Sequence, residues 1–321
     1  MAKAALVTGG AGFIGSHVAD RFLAEGYAVT VLDNLSSGRR ENMAKAVRFV
    51  EGDITSPEAA TLVRDGKFDV MCHLAAQIDV RRSVLDPAYD ATRNILGSLN
   101  LLEAIKASEH RTRVVFSSTG GALYGDFDPP PSAETNSKDP EAPYGIAKLS
   151  VEYYLAYYAR VHGLDTVALR YGNVYGPRQD PHGEAGVVAI FCNRLLEGRA
   201  LTVYGDGEQT RDYVYAGDVA SANFAAATRP LPAPGRLDAR AFNIGTSIET
   251  SVNTLVQTLQ TAAGATSPID YVPARAGELL RSALNTDKAR NILQWSPQFS
   301  LQDGLTKTYE FFAGRKAGQT A

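Results

Sequence analysis

The stretch that decides the fold is Ala4-Ala-Leu-Val-Thr-Gly-Gly-Ala-Gly-Phe-Ile-Gly-Ser16. Ala4 to Thr8 is a short apolar run typical of a buried strand, and Ile14 to Ala24 has the character of a helix. The turn between them contains Gly9, Gly12 and Gly15. Such a turn lets the backbone approach a pyrophosphate, and the helix N-terminus adds free N–H groups and partial positive charge. The stretch therefore predicts a dinucleotide-binding α/β fold.

Short apolar runs and helical stretches continue to alternate after this motif. We expect strands at Ala28–Leu32, Val47–Val50, Val70–Leu74, Arg113–Phe116 and Asp165–Leu169, and helices at about Asp90–Ala107 and Tyr144–His162. Strands that alternate with helices form a parallel sheet, and right-handed crossovers place the helices on both of its faces. The sequence therefore predicts an α/β protein with a Rossmann-type, doubly wound parallel sheet.

The regular alternation of strands and helices weakens after about Tyr171, and a loop-rich stretch runs from Gly176 to Gly186. We expect a dinucleotide-binding domain over residues 1–172 and a smaller mixed α/β substrate domain over residues 173–321. The second domain is expected to be discontinuous. Ala241 to Ile244 has the pattern of a buried strand, which predicts that a segment of about residues 212–247 returns to the first sheet.

Composition argues against several classes of partner. The 321 residues include 32 basic and 35 acidic side chains, so a formal charge of -3 gives no global attraction to nucleic acid or to an anionic membrane. Cys72 and Cys192 lie far apart without a Cys/His cluster, so we expect buried free thiols and no metal site. The sequence shows neither a signal-type segment nor an apolar window of transmembrane length, and we expect a cytoplasmic protein.

The residue that ends the second predicted strand is acidic. The carboxylate of Asp33 would accept hydrogen bonds from an adenosine ribose and repel a 2′-phosphate, so NAD is favoured over NADP. Arg39 and Arg40 leave NADP open, because guanidinium groups just beyond that strand can contact a phosphate. Asp53 follows the next strand and is placed to accept from the adenine amine, or alternatively to cap the turn Thr55-Ser-Pro-Glu58.

Tyr144 and Lys148 stand at i and i+4 on one face of a predicted helix. A tyrosine has a pKa of roughly 10 and becomes a base near neutral pH only when a cation stabilises its phenolate. Lys148 and an oxidised nicotinamide ring would supply that charge. Ser117, Ser118 and Thr119 follow a strand at the ligand edge of the sheet, where a hydroxyl can relay a proton to Tyr144. A simple turn is the alternative explanation for these three hydroxyls.

Together these motifs resemble the extended short-chain dehydrogenase/reductase family, and within it the UDP-glucose (UDP-galactose) 4-epimerases. The resemblance spans essentially the whole chain and includes Val31-Leu-Asp-Asn-Leu-Ser-Ser-Gly38, His73-Leu-Ala-Ala-Gln77 and Arg170-Tyr-Gly-Asn-Val-Tyr-Gly-Pro177. It implies that the NAD site is lined by Phe13, Ile14, Asp33, Asn34, Gly38, Asp53, Ile54, Leu74, Ala75, Ala76, Gln77, Asn94, Ser117 and Tyr171.

The resemblance also implies a catalytic trio. Tyr144 would be the base, Lys148 would tune it and anchor the nicotinamide ribose, and Thr119 would be the hydroxyl partner. Gly120 and Gly121 make that loop longer than in some members, which keeps Ser118 in contention. The same two glycines stand where sugar-nucleotide 4,6-dehydratases need an acidic pair, which argues against dehydration.

A UDP-sugar is the substrate that the resemblance implies. The residues that match nucleotide-diphosphate positions in similar enzymes are Asn173, Val187, Val188, Leu201, Val203, Tyr204, Arg211, Arg275 and Glu278. By themselves, Arg211 and Arg275 are more typical of surface ion pairs. Ser282 stands where some epimerases hold a bulky tyrosine, so we expect UDP-N-acetylhexosamines to be accepted as well as UDP-glucose and UDP-galactose.

The implied activity is epimerisation at C4 through a transient 4-keto sugar, with no net redox change. A related NAD-dependent UDP-sugar decarboxylase or ketoreductase is the main alternative, and a non-catalytic NAD-binding regulator is a minor one. The helix from Tyr144 is apolar or aromatic almost all round, so it needs two partners. One partner is the sheet. We expect the other to be a second subunit of a homodimer, in a helix–helix contact that also includes the Asp90–Ala107 helix. Burial under the second domain is the alternative.

Overall fold

The structure is a computed structural model that describes residues 2–125, 129–181, 186–274 and 279–319, except for the side chains of residues 318 and 319. Its strands are β1 (Ala4–Thr8), β2 (Ala28–Asp33), β3 (Arg48–Glu51), β4 (Val70–His73), β5 (Arg113–Thr119), β6 (Asp165–Tyr171), β7 (Asn173–Tyr175), β8 (Leu201–Tyr204), β9 (Thr210–Arg211), β10 (Tyr213–Tyr215), β11 (Ala241–Ile244), β12 (Thr250–Ser251) and β13 (Ile269–Val272).

Helices connect most of these strands. They are α1 (Phe13–Ala24), α2 (Pro57–Asp65), α3 (Val80–Leu85), α4 (Pro87–Ala91), α5 (Gly97–Ala107), α6 (Pro143–His162), α7 (Val187–Leu196), α8 (Ala216–Thr228), α9 (Val252–Ala263) and α10 (Leu301–Gln319). A π turn, Thr92–Leu96, joins α4 to α5, so the predicted helix over Asp90–Ala107 is interrupted within this region.

Within the described residues, the central sheet has seven parallel strands in the order β11-β6-β5-β4-β1-β2-β3. Neighbouring residues of β1 point to opposite faces of the sheet. Val7 belongs to the core that includes α1 and α8, and Leu6 belongs to the core that includes α2, α5 and α6. This arrangement confirms the predicted Rossmann-type, doubly wound sheet. The run Ala241 to Ile244 is β11, which pairs with β6 in this sheet.

The two strands nearest the reacting groups are longer than the sequence predicted. β5 reaches Thr119 instead of Phe116, and β6 reaches Tyr171 instead of Leu169. Ser118 pairs in register with Arg170, and both side chains are buried. A buried polar pair breaks the apolar pattern that marks a strand, which explains the early ends that the sequence indicated.

A third core joins α7, α9 and α10 with β8 and contains Phe191, Leu195, Leu255 and Leu305. The division into two domains near residue 172 stays a prediction. Cys72 and Cys192 are buried and free, which confirms the expectation for the thiols. In the part of the chain that the structure describes, no helix combines the length and apolarity needed to span a membrane. Nor do its described residues bring together three His, Cys, Asp or Glu side chains that could hold a metal ion.

Candidate active site

The glycine-rich turn between β1 and α1 lines a cavity of about 1060 Å³ at the carboxyl edge of the sheet. Gly9 has a φ of 71°, and a Cβ there would lie 2.7 Å from the backbone nitrogen of Ala75. A Cβ at Gly15 would lie 2.1 Å from the carbonyl oxygen of Gly9. Gly12 precedes α1 and provides no side-chain cap. The first N–H groups of that helix therefore suit a pyrophosphate, and the turn fits a dinucleotide.

Asp33 is held rigidly at the same edge. Its Oδ2 accepts from the backbone N–H of Ala11 at 3.0 Å, and its Oδ1 accepts from that of Leu35 at 2.8 Å. Asp33 lines the cavity, where a carboxylate can accept from a ribose hydroxyl.

Of the two arginines that left NADP open, Arg40 is paired with an acidic neighbour, whereas Arg39 lines the cavity and makes only a long contact with its acidic neighbour. Arg40 Nη2 lies 2.7 Å from Glu51 Oε2, and Arg39 Nη1 lies 3.7 Å from Glu41 Oε1. Arg40 also covers the ring of Phe49 at 4.4 Å from its centre. The Arg40 pair favours NAD, because a 2′-phosphate would have to compete with Glu51 for that guanidinium.

Asp53 accepts hydrogen bonds through both oxygens. Oδ1 accepts from the backbone N–H and the hydroxyl of Thr55 at 2.9 and 2.7 Å, and Oδ2 accepts from Asn34 at 3.0 Å and from Arg93. Burial alone would raise the pKa of Asp53, but these hydrogen bonds and the charge of Arg93 lower it to about 2. Ser56 is the N-cap of α2, whereas Asp53 caps the turn before it by accepting from the backbone N–H of Thr55, so the alternative interpretation holds for the turn but not for the helix. A carboxylate offers about four acceptor positions, so an adenine amine would replace one of these donors.

Tyr144 and Lys148 lie one turn apart on α6, with Lys148 Nζ 5.8 Å from the centre of the Tyr144 ring. Lys148 Nζ also donates to the carbonyl oxygen of Ser117 at 2.8 Å. Burial lowers the pKa of Lys148 to about 8, while the charges of Asp90 and Glu152 oppose that shift. The pKa of Tyr144 is raised by burial and then by the negative charge of Asp90. Lys148 alone therefore does not make Tyr144 a base, and a second cation such as an oxidised nicotinamide is needed.

The hydroxyls at the end of β5 have different surroundings. Ser118 is 3% exposed, and its Oγ donates to Glu152 Oε1 at 2.5 Å. Glu152 in turn lies 2.6 Å from Arg170 Nη2, so Ser118 belongs to a buried ion-pair network. Thr119 is half-buried and lines the cavity beside Tyr144. This geometry favours Thr119 over Ser118 as the proton relay.

Most residues predicted for the cofactor line this one cavity. They are Gly9, Gly12, Phe13, Ile14, Gly15, Asp33, Asn34, Asp53, Ile54, Leu74, Ala75, Ala76, Gln77, Ser117, Tyr144, Lys148 and Tyr171. Gly38 is not in the lining, but a Cβ there would lie 3.0 Å from Asp33 Oδ1, so its size lets the loop pack. Asn94 is also absent from the lining, and it holds Gln77 by accepting from its N–H at 2.8 Å and donating to its carbonyl at 2.9 Å.

The predicted substrate residues separate into two groups. Thr119, Tyr144, Asn173 and Arg211 line the cavity. The side chains of Val188, Leu201 and Val203 are instead buried in the third core, Val187 packs against that core, and Tyr204 and Ser282 are outside the cavity lining. Alternation along β8 explains the inward direction of Leu201 and Val203. Arg275 and Glu278 lie outside the described residues.

The position of Gly120 is closely packed by a residue from the far end of the chain. A Cβ at this position would lie 2.5 Å from Leu284 Cδ1. Leu284 is buried and forms an isolated parallel bridge with Ser132. An acidic side chain at position 120, as dehydration would require, would therefore have to displace Leu284. Ser282 lies two residues before this contact.

Sequence reasoning missed Asp90, Arg93 and Arg178. Arg178 lines the cavity and lies 2.6 Å from Asp20 of α1. Asp90 is 1% exposed, and its Oδ1 accepts from Asn94 at 3.0 Å. The available signal was the spacing of Asp90 and Asn94, at i and i+4 on one helical face beside the predicted sheet edge. Arg93 gave no comparable signal, because its partner Asp53 is distant in sequence.

Comparisons with known proteins agree with this geometry. The model of the NAD dependent epimerase/dehydratase family matches residues 5–245. The UDP-glucose 4-epimerase of Mycolicibacterium smegmatis is 45% identical over 315 residues, which is 97% of this chain and 98% of the relative.

Solved structures are similar over the same extent. A Thermotoga maritima UDP-glucose 4-epimerase with UDP-glucose has a TM-score of 0.91 and 46% identity, and the match covers 98% of this chain and 99% of the other. The Thermus thermophilus UDP-glucose 4-epimerase in complex with NAD has a TM-score of 0.88 and 42% identity, with 97% and 99% covered.

Proposed function

The chain belongs to the NAD dependent epimerase/dehydratase family, and from this premise we propose that it is an NAD-dependent 4-epimerase that interconverts UDP-galactose and UDP-glucose. The observation that carries the proposal is the meeting of Tyr144, Lys148 and Thr119 with the glycine turn at one cavity. The similarity to UDP-glucose 4-epimerases over nearly the whole chain supports the choice of substrate.

In this mechanism the side chains hold the sugar and move a proton at C4. Thr119 binds the C4 hydroxyl, and Tyr144 removes its proton directly or through Thr119. Lys148 anchors the nicotinamide ribose and keeps positive charge near the phenol. Bound NAD supplies the acceptor, and then the donor, of a hydride at C4. Tyr144 returns its proton when the 4-keto sugar is reduced.

Inversion requires the sugar to present its other face while the nucleotide stays bound. Arg211 and Asn173 line the same cavity and are the described residues proposed to hold the diphosphate. Arg275 and Glu278 are proposed for the same role. Because the redox change cancels, the cofactor must remain bound through the cycle and no reductant is consumed.

A panel of UDP-sugars with chromatography of the products tests this proposal. Purified protein should convert UDP-galactose to UDP-glucose without releasing CO₂ and without net NADH. Release of CO₂ from a UDP-uronic acid would instead support the decarboxylase, and stoichiometric NADH consumption the ketoreductase. Turnover of none of these sugars by NAD-loaded protein would support the non-catalytic regulator.

We further propose that UDP-N-acetylhexosamines are substrates, because the small Ser282 stands at the position where some UDP-glucose 4-epimerases hold a bulky tyrosine. Ser282→Tyr should then lose turnover of UDP-N-acetylhexosamines and keep that of UDP-glucose. An equal loss for both sugars would count against this role for Ser282.

We also propose a homodimer formed through α6. Tyr153, Tyr157 and Val161 are 58%, 42% and 59% exposed and lie on one helical stripe, and Leu96 beside α5 is 56% exposed. A second copy supplies a matching apolar stripe by symmetry. Tyr153→Glu with Val161→Glu should give monomers in analytical ultracentrifugation, while Tyr271→Glu, at a 55% exposed tyrosine on β13, should not. A cytoplasmic location stays a prediction from the sequence.

A further inference from the structure

Asp90, on α4, is a buried carboxylate that the mechanism above does not use. Only 1% of the residue is exposed. Its Oδ1 accepts from Gln77 Nε2 and Asn94 Nδ2, both at 3.0 Å. Its Oδ2 is buried and has no hydrogen-bond partner among the residues that the structure describes. A carboxylate removed from water in this way is costly unless a positive charge lies nearby.

The positive charge that offsets this cost is Lys148. Helix α4 packs on α6. Burial raises the pKa of Asp90 and lowers that of Lys148, and the attraction between the two charges opposes both shifts. The negative charge of Asp90 also reaches Tyr144, where it raises the pKa of the phenol. Asp90 is thus electrostatically coupled to both members of the catalytic pair.

Other charged groups around this pair have partners of their own. Glu152 on α6 pairs with Arg170, and Arg93 beside α4 pairs with Asp53. Arg82 of α3 lies over the ring of Tyr89, and Asp79 caps the same helix by accepting from the N–H of Arg82. His73 of β4 is kept neutral because burial and then the charge of Lys148 lower its pKa to about 3.

We propose that Asp90 is the counter-ion of the Tyr144–Lys148 pair, a positioning residue that keeps Lys148 charged and Tyr144 protonated until a cationic cofactor is bound. Lys148 and Asp90 sum to zero charge, so a buried Tyr144 phenolate needs one further positive charge. An oxidised nicotinamide brings that charge, and after its reduction Tyr144 holds the proton again. The site is then neutral before and after the redox step, as suits a reaction that runs in both directions. The assignment rests on the proposed function only for the role of Tyr144 as base.

The direct test is an NMR titration of cofactor-free protein with isotope-labelled tyrosine and lysine, comparing wild type with Asp90→Asn. The amide keeps the shape and the Oδ1 acceptor but removes the charge. Lys148, whose pKa is about 8 in the wild type, should titrate at lower pH in the variant, with a pKa lower by about one unit, and Tyr144 should stay protonated over the same pH range. The two limbs of the pH profile of kcat should move in the same direction. An unmoved Lys148 titration with a reduced kcat would overturn the proposal and leave Asp90 a structural residue.

Two further variants make the result decisive. Asp90→Glu keeps the charge and should titrate like wild type, while Asp65→Asn, at the exposed partner of Arg64, should change neither group. If Asp90→Asn does not fold, Asp90→Ser removes the charge with a smaller side chain and should give the same downward shift of the Lys148 pKa. Because the titration uses no substrate, its outcome is independent of whether the sugar has been assigned correctly.

Discussion

Ser118 Oγ lies 2.5 Å from Glu152 Oε1, in the buried layer between β5 and α6. This contact distinguishes two adjacent hydroxyls, of which the family resemblance favoured Thr119 and kept Ser118 in contention. Both residues line the cavity, but the hydroxyl of Ser118 is committed to Glu152 in the scaffold that joins the strand to the helix carrying Tyr144, whereas Thr119 is only half-buried.

Substitutions of Ser118 and of Thr119 should affect stability and catalysis in opposite ways. Ser118→Ala should lower the free energy of unfolding by about 1–3 kcal/mol, because Glu152 loses a buried donor, and should leave kcat within a few-fold of wild type. Thr119→Val should do the reverse, with kcat reduced about 10²-fold or more and little change in stability. Urea unfolding and steady-state kinetics check both variants. A kcat lost in Ser118→Ala and kept in Thr119→Val would make Ser118 the relay.

The same region contains features that could be predicted from the sequence and contacts that could not. The glycine turn, Asp33 and the Tyr144/Lys148 spacing are local patterns whose chemistry follows from short-range geometry, so they could be read from the sequence. The directions of Ser118 and Arg170 depend on Glu152, which packs against both from another element. Such long-range polar pairs have no local period and cannot be recognised before the fold is known.

The contacts of Asp53 were also only partly predictable from the sequence. Its position after β3 was predictable from the sequence. Its hydrogen bonds from Asn34 and Arg93 were not, because both donors come from other elements. For the same reason, the side chains of Leu201 and Val203 matched family positions yet lie in the third core. A match to a family position gives the place of a residue in the chain, whereas the pleat of β8 determines the direction of its side chain.

Stability should fall in acid because of His73. Its ring is buried between the hydroxyls of Thr8 and Ser98, at 2.7 and 2.9 Å, and its pKa is lowered to about 3. Between that value and the unfolded pKa of about 6.5, the unfolded chain binds a proton that the folded chain refuses, so stability drops as pH falls. At pH 5 this term is about 2 kcal/mol.

Urea unfolding of wild type and His73→Gln at pH 7 and pH 5 measures that term. The variant should lose less stability than wild type on acidification, while the control His162→Gln, at an exposed histidine, should behave like wild type. Identical pH dependence in wild type and His73→Gln would show that His73 does not take up the proton on unfolding.

Cofactor selectivity should depend on Asp33 and not on Arg40. Asp33→Ser removes the charge that repels a 2′-phosphate and the acceptor for a ribose hydroxyl, so the preference for NAD over NADP should fall about 10- to 100-fold. Arg40→Gln should leave the preference unchanged, because Arg40 is already paired with Glu51. Calorimetric titration of cofactor-free protein gives both affinities. A preference that changes in Arg40→Gln but not in Asp33→Ser would reverse the assignment.

The central claim is that Tyr144 takes and returns one proton at C4 of a UDP-sugar while the bound cofactor undergoes no net change. The direct measurement is the interconversion of UDP-galactose and UDP-glucose by purified, NAD-loaded protein without added reductant, compared with Tyr144→Phe. The phenylalanine keeps the ring but not the hydroxyl, and should lower kcat about 10²- to 10⁴-fold while NAD stays bound. A Tyr144→Phe enzyme that interconverts the two sugars at the wild-type rate would contradict the account.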